Sequence, residues 1–399
     1  MHKKGTHMAS STGRAGSYAT QPEGYRAFIP RDLPPDPPVK IEAHDLLGLL
    51  SEANVALGRL DGAAGTLPNP DLFVMMYLRK EAVLSSQIEG TQSSLSDLLQ
   101  FEAGTFRQDT PRDVVEVRNY VAAMHEGLQQ IKDGTPLSLQ LIQRLHIMLL
   151  HKARGGGRRP GELREVQNWI GPEGSTIDKA IFVPPPPRLM VEALNRLELF
   201  ILEADPHLPT LIQAGCVHSQ FETIHPFLDG NGRMGRLMIT FMLARGRILS
   251  RPLLYLSYFF RANRPEYYAR LQAVRDEGDW EGWLAFFLRG VTEVSEQATQ
   301  SARKIVRLRD RHRELIQSKM GARAGKGLQL LDSLYSSPYV TVPGATQLMK
   351  CTYPSALSVV DEFARYDLLK EVTGYRRNRL FEYQPYMSIL TEGDRPSAG

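Results

Sequence analysis

His225-Pro226-Phe227-Leu228-Asp229-Gly230-Asn231-Gly232-Arg233-Met234-Gly235-Arg236 is the stretch on which the reading of this chain turns. It holds a glycine-rich turn, Asp229 to Gly232, set between helical patterns over 207–223 and Met234–Arg247. Such a turn can point successive backbone N–H groups into one concavity. The helix that follows begins near Arg233 and aims its positive end at the same point. Arg233 and Arg236 are three apart and share a face. Two guanidinium groups, a helix dipole and a nest of amides describe a phosphate site, suited to a polyphosphate. Asp229 is an acceptor-only carboxylate beside it, and its natural partner is a Mg²⁺ carried on phosphates. His225, with an ordinary pKa near ~6.5, is able to take a proton from an incoming hydroxyl near neutral pH. The segment holds no obvious covalent nucleophile, so direct in-line attack on a nucleotide phosphate is the simplest chemistry. Each residue alone has an ordinary explanation: a structural His, an Asp-Gly turn, a solvated pair of arginines. Their concentration in twelve residues favours a site.

Outward from this segment, the pattern is mainly α. Apolar residues recur at helical spacing over 41–60, 70–89, 93–102, 112–131, 138–152, 188–204, 265–274 and 280–313. Asn69-Pro70 supplies a cap and a first-turn proline for the second of these, and Gly90 a stop. The exception is Ile177–Val183, a β-prone run between Gly174 and Pro184–Pro187, expected to form an edge hairpin because four prolines fit neither a helix interior nor a central strand. Beyond 321–327, a small-residue basic stretch read as a linker, helices at 328–336, 343–349 and 354–366 precede β-prone runs at 368–373 and 378–383. Helix, turn, helix, then hairpin is the layout of a winged helix.

Bulk properties bound the function. The 399 residues are 42% hydrophobic and 23% charged, enough for two or three domains with a sizeable core. A net charge of +4 argues against a coating of nucleic acid and still allows a local basic patch. Cys216 and Cys351 lie far apart, so no disulfide framework is implied and a reducing compartment fits. No apolar run reaches the ~18–20 residues of a membrane span. The expectation is a cytoplasmic protein with no membrane partner. Met1–Ser10 has no secretory apolar region and reads as a vector-derived start to a flexible lead-in over 1–40, which ends in Pro34-Pro-Asp-Pro-Pro38.

His225–Arg236 resembles the signature of the Fic family, His-x-Phe-x-(Asp/Glu)-Gly-Asn-Gly-Arg-x-x-Arg, at every specified position. The resemblance implies that His225 is the general base toward a target Ser, Thr or Tyr, and that Asp229 holds Mg²⁺. It implies that Gly230, Asn231 and Gly232 form the anion hole, that Arg233 and Arg236 bind the β- and γ-phosphates of ATP, and that Phe227 anchors the loop. Related kinase-like Doc proteins carry lysine where this chain has Gly232, which favours AMP transfer over γ-phosphoryl transfer. Other members use other nucleotides or phosphocholine, so the nucleotide stays open. On this resemblance the chain divides into an N-terminal helical region (41–110), a Fic core (111–320), the linker, a winged-helix-like domain (328–385) and a tail (386–399).

Three further segments take meaning from the resemblance. Asn168–Gly171 with Thr176, Ile177, Ile181, Phe182 and Val183 is similar to the family's flap, an edge that can pair with an extended target peptide. Tyr267-Tyr268 is similar to the adenine-contacting segment, with one of the two against the base. Ser85-x-x-x-Glu89-Gly90 matches the inhibitory motif (Ser/Thr)-x-x-x-Glu-(Gly/Asn). That match implies that Glu89 pairs with Arg236 and puts negative charge where the γ-phosphate belongs, while Ser85 helps hold the helix. The same Glu is linked in some relatives to removal of AMP by water.

The implied activity is AMP transfer to a target protein and to the chain itself. A different class remains beside it: a DNA-binding regulator whose core senses a nucleotide. Arg376, Arg377 and Arg379 would form its wing, and Ser355 and Ser358 would lie on its third helix, with arginines supplying phosphate contacts. Asp361 and Glu362 on that helix weigh against DNA and leave protein docking or a homodimer open.

Overall fold

The computed structural model describes residues 13–65, 67, 70–104, 113–152, 159–172, 174–203, 205, 207–375 and 379–392. Met1–Ser10, Asn69, Arg376 and Arg377 lie outside the described residues. An antiparallel hairpin, β1 (Gly16–Thr20) and β2 (Arg26–Pro30), comes first. It is followed by α1 (Leu46–Gly65), α2 (Pro70–Ile88), α3 (Leu95–Glu102), α4 (Val114–Lys132) and α5 (Leu139–Leu149). Next are α6 (Pro187–Leu202), α7 (Thr210–Ile224), α8 (Asn231–Arg245), α9 (Ser257–Ala262), α10 (Arg264–Glu277) and the long α11 (Trp280–Lys319). The C-terminal elements are α12 (Ala324–Leu334), β3 (Tyr339–Thr341), α13 (Val342–Met349), α14 (Tyr353–Arg365), β4 (Lys370–Glu371), β5 (Leu380–Glu382) and α15 (Gln384–Leu390). The mainly helical class read from periodicity is what the chain adopts.

These elements form two units. The first comprises Met1–Leu57, Asn119–Pro252 and Phe259–Glu293. Its centre is α7, which is buried from Leu211 through Ile224. α6 and α8 pack along it. Trp283 donates its indole N–H to the Gly215 carbonyl at 2.9 Å, binding α11 to the middle of α7. His218, Phe260, Tyr267, Trp283 and Phe286 form a stacked aromatic cluster beside it.

The described part of the lead-in is not flexible chain. Ala27 and Phe28 on β2 are fully buried. Arg14 pairs with Glu281 at 2.8 Å, Tyr18 donates to Asp276 at 2.9 Å, and the Phe28 N–H donates to the Val183 carbonyl at 2.9 Å. The glycines and prolines around these strands mark turns, and the two five-residue strands between them are too short to dominate composition.

The hairpin expected over Ile177–Val183 is reduced to one antiparallel bridge, Ile170 with Phe182, below a 3₁₀ turn at Ile177–Lys179. Gly171, Pro172 and Gly174 favour turns in one limb. Pro184 and Pro185 remove the ladder donors that would lengthen the other.

The second unit comprises Gly58–Arg118, Leu253–Tyr258 and Val294–Gly399. Gly90, at φ +93°, ends α2 as a residue without Cβ readily does. α3 begins with a capping box between Ser94 and Asp97. The linker expected at 321–327 is a 3₁₀ turn, Gly321–Arg323, running directly into α12. Its small residues serve close packing, since Gly327 is buried against Ile316 and Met320. β3, which the sequence reading omits, pairs with β5, and β5 pairs with β4, in sheet order β3-β5-β4. The expected tail contains most of α15, whose Tyr386, Met387 and Leu390 are buried. Lys80 of α2 donates to the Leu390 carbonyl at 2.8 Å, and Tyr77 to the Ala298 carbonyl at 3.2 Å.

Truncating Phe28 to alanine would remove a fully buried ring, at roughly 3–5 kcal/mol. A lowered denaturation midpoint is expected for Phe28→Ala. A midpoint equal to that of the parent chain would mean that the hairpin is a loose lead-in after all.

Candidate active site

Local backbone rules shape the turn between α7 and α8. α7 ends when His225 enters the left-handed region at φ 50°, ψ 60°, its N–H still bonded to the Phe221 carbonyl at 2.9 Å. This conformation is uncommon for a residue with a Cβ. Pro226 follows, which disfavours a continued helix at the residue before it. Gly230 is also left-handed, at φ 78°, and caps the start of α8. A Cβ there would lie 3.1 Å from His146 Nε2, so glycine serves both conformation and space. The leading N–H groups of α8 have no acceptor within their own helix, an arrangement that can take an anion.

Side chains hold the turn from inside. Asn231 accepts from the Phe227 N–H at 2.9 Å and donates to the Phe227 carbonyl at 2.8 Å. Asn168 donates to the same carbonyl at 3.1 Å. Phe227 is buried and stacks on His146, with ring centroids 3.8 Å apart and planes 11° from parallel. His146 Nδ1 accepts from the Gly161 N–H at 2.9 Å, which puts its proton on Nε2, and Nε2 donates to the Asp229 carbonyl at 2.9 Å. Burial pushes the His146 pKa down to about 4, so the ring stays neutral.

The expected phosphate residues come together here. His225, Asp229, Gly230, Asn231, Gly232, Arg233 and Arg236 all lie on the α7–α8 turn or the first turns of α8. Arg233 and Arg236 are buried, and Arg233 pairs with the partly exposed Asp229 at 3.3 Å. No cluster of three or more His, Cys, Asp or Glu suited to a metal occurs among the described residues. A lone carboxylate fits a Mg²⁺ that brings phosphate and water ligands with it, and not an ion caged by protein alone.

Other expected residues are placed differently. Tyr267 lies in the core, with its ring 4.5 Å from that of Phe260 and its hydroxyl 2.8 Å from His218 Nε2. Of the pair, only Tyr268 reaches the surface, with the Arg264 guanidinium 5.6 Å over its ring. On the flap, Thr176 and Ile181 are exposed and Ile177 is half-buried, whereas Phe182 and Val183 are buried. Phe182 lies under the guanidinium of Arg275 at 3.8 Å. Ser85 and Glu89 belong to the second unit, where Ser85 is buried on α2 and Glu89 follows its last residue. His146 and Arg164 are absent from the sequence reading. His146 had a signal there, as the polar residue on the apolar face formed by Leu141, Ile142, Leu145 and Leu149.

Residues 47–129 match the family model described as Fic/DOC family N-terminal, and residues 136–243 match the model described as Fic/DOC family. Both stretches match domains of the Fic/DOC family. The second match contains His146, Arg164 and the whole α7–α8 turn. The chain is 26% identical over 178 residues to a protein of Aquifex aeolicus named "Probable protein adenylyltransferase". That match covers 45% of this chain and 51% of the relative. It is 26% identical over 186 residues to "Protein adenylyltransferase Fic" of Nematostella vectensis, covering 46% of this chain and 41% of that protein. The chain thus spans about half the length of these relatives, or less. A crystal structure of a Fic family protein from Desulfovibrio desulfuricans G20 superposes with a TM-score of 0.54 at 18% identity, over 86% of this chain and 96% of that one. That likeness speaks for the fold.

Buried neutral histidines give this chain an acid limit. His146 and His218 have pKa values lowered from 6.5 to about 4 and about 3, by burial first. Their neutral forms belong to the folded state, so the stability they contribute is present above pH 6.5 and is lost as pH falls toward 4. Denaturation midpoints are expected to drop across that window, and to drop less in His218→Gln. A parent profile that stays flat from pH 7 to pH 4 would contradict the buried neutral state.

Proposed function

We propose that this chain is a protein adenylyltransferase that moves AMP from ATP to a Ser, Thr or Tyr hydroxyl of a target protein and of itself. One observation carries the reading: a histidine at the left-handed end of one helix stands six residues before the anion-binding start of the next, with two buried arginines on that start. The names of the two relatives agree with it.

On this reading His225 takes the proton of the acceptor hydroxyl. The hydroxyl oxygen forms a bond to the α-phosphorus, the bond from that phosphorus to the bridging α–β oxygen breaks, and pyrophosphate leaves. Gly230, Asn231 and Gly232 offer amides to the phosphates, and Arg233 and Arg236 neutralise the β- and γ-groups. Asp229 would hold a Mg²⁺ borne by the phosphates, which supplies charge neutralisation when bound. Arg233 lies 3.3 Å from Asp229, so the residue that would hold phosphate and the residue that would hold its metal stand side by side. Ile181 and Thr176 present the docking edge, and Tyr268 supplies the face for adenine.

Autoinhibition is part of the proposal: Glu89 pairs with Arg236 and occupies the γ-phosphate position. Its support is the Ser85-x-x-x-Glu89-Gly90 spacing and the burial of Ser85 on α2. The C-terminal elements α12, β3, α13, α14, β4 and β5 have the order of a winged helix, which supports reading 328–385 as such a module. Protein docking fits it better than DNA. On α14, Glu362 pairs with Arg323, and Asp361 lies 3.9 Å from Arg379, so these two arginines beside the helix are opposed by carboxylates.

Incubation with ATP and Mg²⁺ followed by mass spectrometry tests the reading. Glu89→Gly is expected to gain AMP at far higher yield than the parent chain. Adding His225→Ala should abolish the gain, as should chelation of the metal. If Glu89→Gly acquires no adduct with ATP, and lysate proteins acquire none, AMP transfer is wrong. Labelling with GTP, CTP or UTP instead would reassign the nucleotide.

A further inference from the structure

One buried cation stands apart from the phosphate residues. Arg164 lies between Gly161, which donates to His146, and the limb 166–170 of the flap. It is 2% exposed. Its backbone N–H donates to the Pro226 carbonyl at 2.9 Å. Its Nε donates to the His225 carbonyl at 2.9 Å, and Nη1 to the Val166 carbonyl at 3.3 Å. Its Nη2 donates to the Pro185 carbonyl and lies 3.5 Å from that of Ile224. None of its hydrogen-bond acceptors among the described residues is a carboxylate. Burial pushes its pKa down to about 10, which still leaves it charged at neutral pH.

The acceptors fall into two groups. Ile224, His225 and Pro226 are the C-terminus of α7 and the start of the turn, where carbonyls lack helical partners and the helix dipole favours a cation. Val166 and Pro185 lie on the two limbs of the flap, which join at the Ile170–Phe182 bridge. One planar guanidinium, with donors diverging in a fixed fork, therefore sets the distance between the backbone of His225 and both limbs of the flap. A lysine has a single donor centre and cannot span both groups. The arrangement also explains how His225 keeps a left-handed backbone, because its carbonyl is fixed from outside its own helix.

We propose that Arg164 is a positioning residue for AMP transfer, holding His225 and the flap in one register so that a hydroxyl docked on the flap meets the imidazole. This rests on the adenylyltransferase reading above. The phosphate side of the site is held through side chains other than Arg164, namely Asn231, Asn168 and His146. Arg164 should therefore affect the transfer step and leave ATP binding alone, a split that loss of folding would not produce.

The test uses the full chain carrying Glu89→Gly, with and without Arg164→Lys. It measures far-ultraviolet circular dichroism, ATP affinity by calorimetry, the rate of self-modification, and the ring ¹⁵N shifts of His225, assigned by their loss in His225→Ala. Arg164→Lys is expected to keep its fold and ATP affinity, to shift the His225 ring signals, and to slow transfer by on the order of 10²-fold, as small misplacements of reacting groups do. Wild-type rate with unmoved His225 signals would overturn the proposal. So would equal losses of ATP affinity and rate in a folded variant. If Glu89→Gly transfers no AMP at all, the functional reading fails, and the His225 signals alone decide whether Arg164 positions the ring. If Arg164→Lys does not fold, the parent chain decides: a clamped guanidinium shows slowly exchanging Nε–H and resolved Nη signals, and fast exchange with averaged signals overturns the proposal.

Discussion

The pair of hydrogen bonds between Asn231 and the backbone of Phe227 is the constraint on which the site depends. The turn from α7 to α8 has to reverse the chain while exposing amides to a ligand, so those amides cannot be spent on holding the turn. The side chain of the first residue of α8 takes over that task and satisfies both backbone polar groups of one residue inside the turn, the N–H and the carbonyl of Phe227. Phe227 is locked by the same contact, and its ring then serves as the plate on which His146 stacks. His146 in turn fixes the Asp229 carbonyl. The loop is thus braced at two levels by groups that are neutral.

The charge distribution follows the same logic. Arg233 lowers the His146 pKa, and Arg236 and Arg275 lower that of His218, in each case adding to burial. Burial first, and the neighbouring cations second, keep these histidines unprotonated, so hydrogen-bond donors are gained without further positive charge. Buried cations are costly unless opposed. Arg233 has the Asp229 carboxylate beside it, and Arg275 donates to the Thr223 hydroxyl and the Glu222 carbonyl.

How much of this was legible in the sequence depended on range. The His225–Arg236 turn was readable because its chemistry is local: the glycine, the cap and the arginine spacing sit within one turn and one helix. Helix positions were readable for the same reason, as Gly90 at the end of α2 shows. What failed was non-local. The strand Arg26–Pro30 owes its existence to Val183 and to the core around Phe28. The 321–327 stretch is ordered because Gly327 fits against Ile316 and Met320. Tyr267 looked like a ligand contact and is a core residue, because His218 lies 49 positions earlier in sequence and 2.8 Å away in space. Arg164 left no local trace, since its acceptors are backbone carbonyls that any residues could supply.

The segment bearing Ser85 and Glu89 raises a different question, of which unit owns it. α2 is fixed in the middle by a buried lysine donating to a carbonyl of α15 and by Tyr77 donating to a carbonyl of α11. Glu81, one residue on from that lysine, accepts from the Ser257 backbone at 3.0 Å and from its hydroxyl. Ser96, on the neighbouring α3, meets Tyr339 of β3. These are buried or half-buried polar contacts, and breaking one partner leaves the other unsatisfied at about 1–3 kcal/mol. The helix is therefore a structural part of the unit that holds the C-terminal elements, while His225 and Arg236 belong to the other. The course of the chain through Ser85 to Glu89 is thus set by packing within its own unit as much as by local sequence.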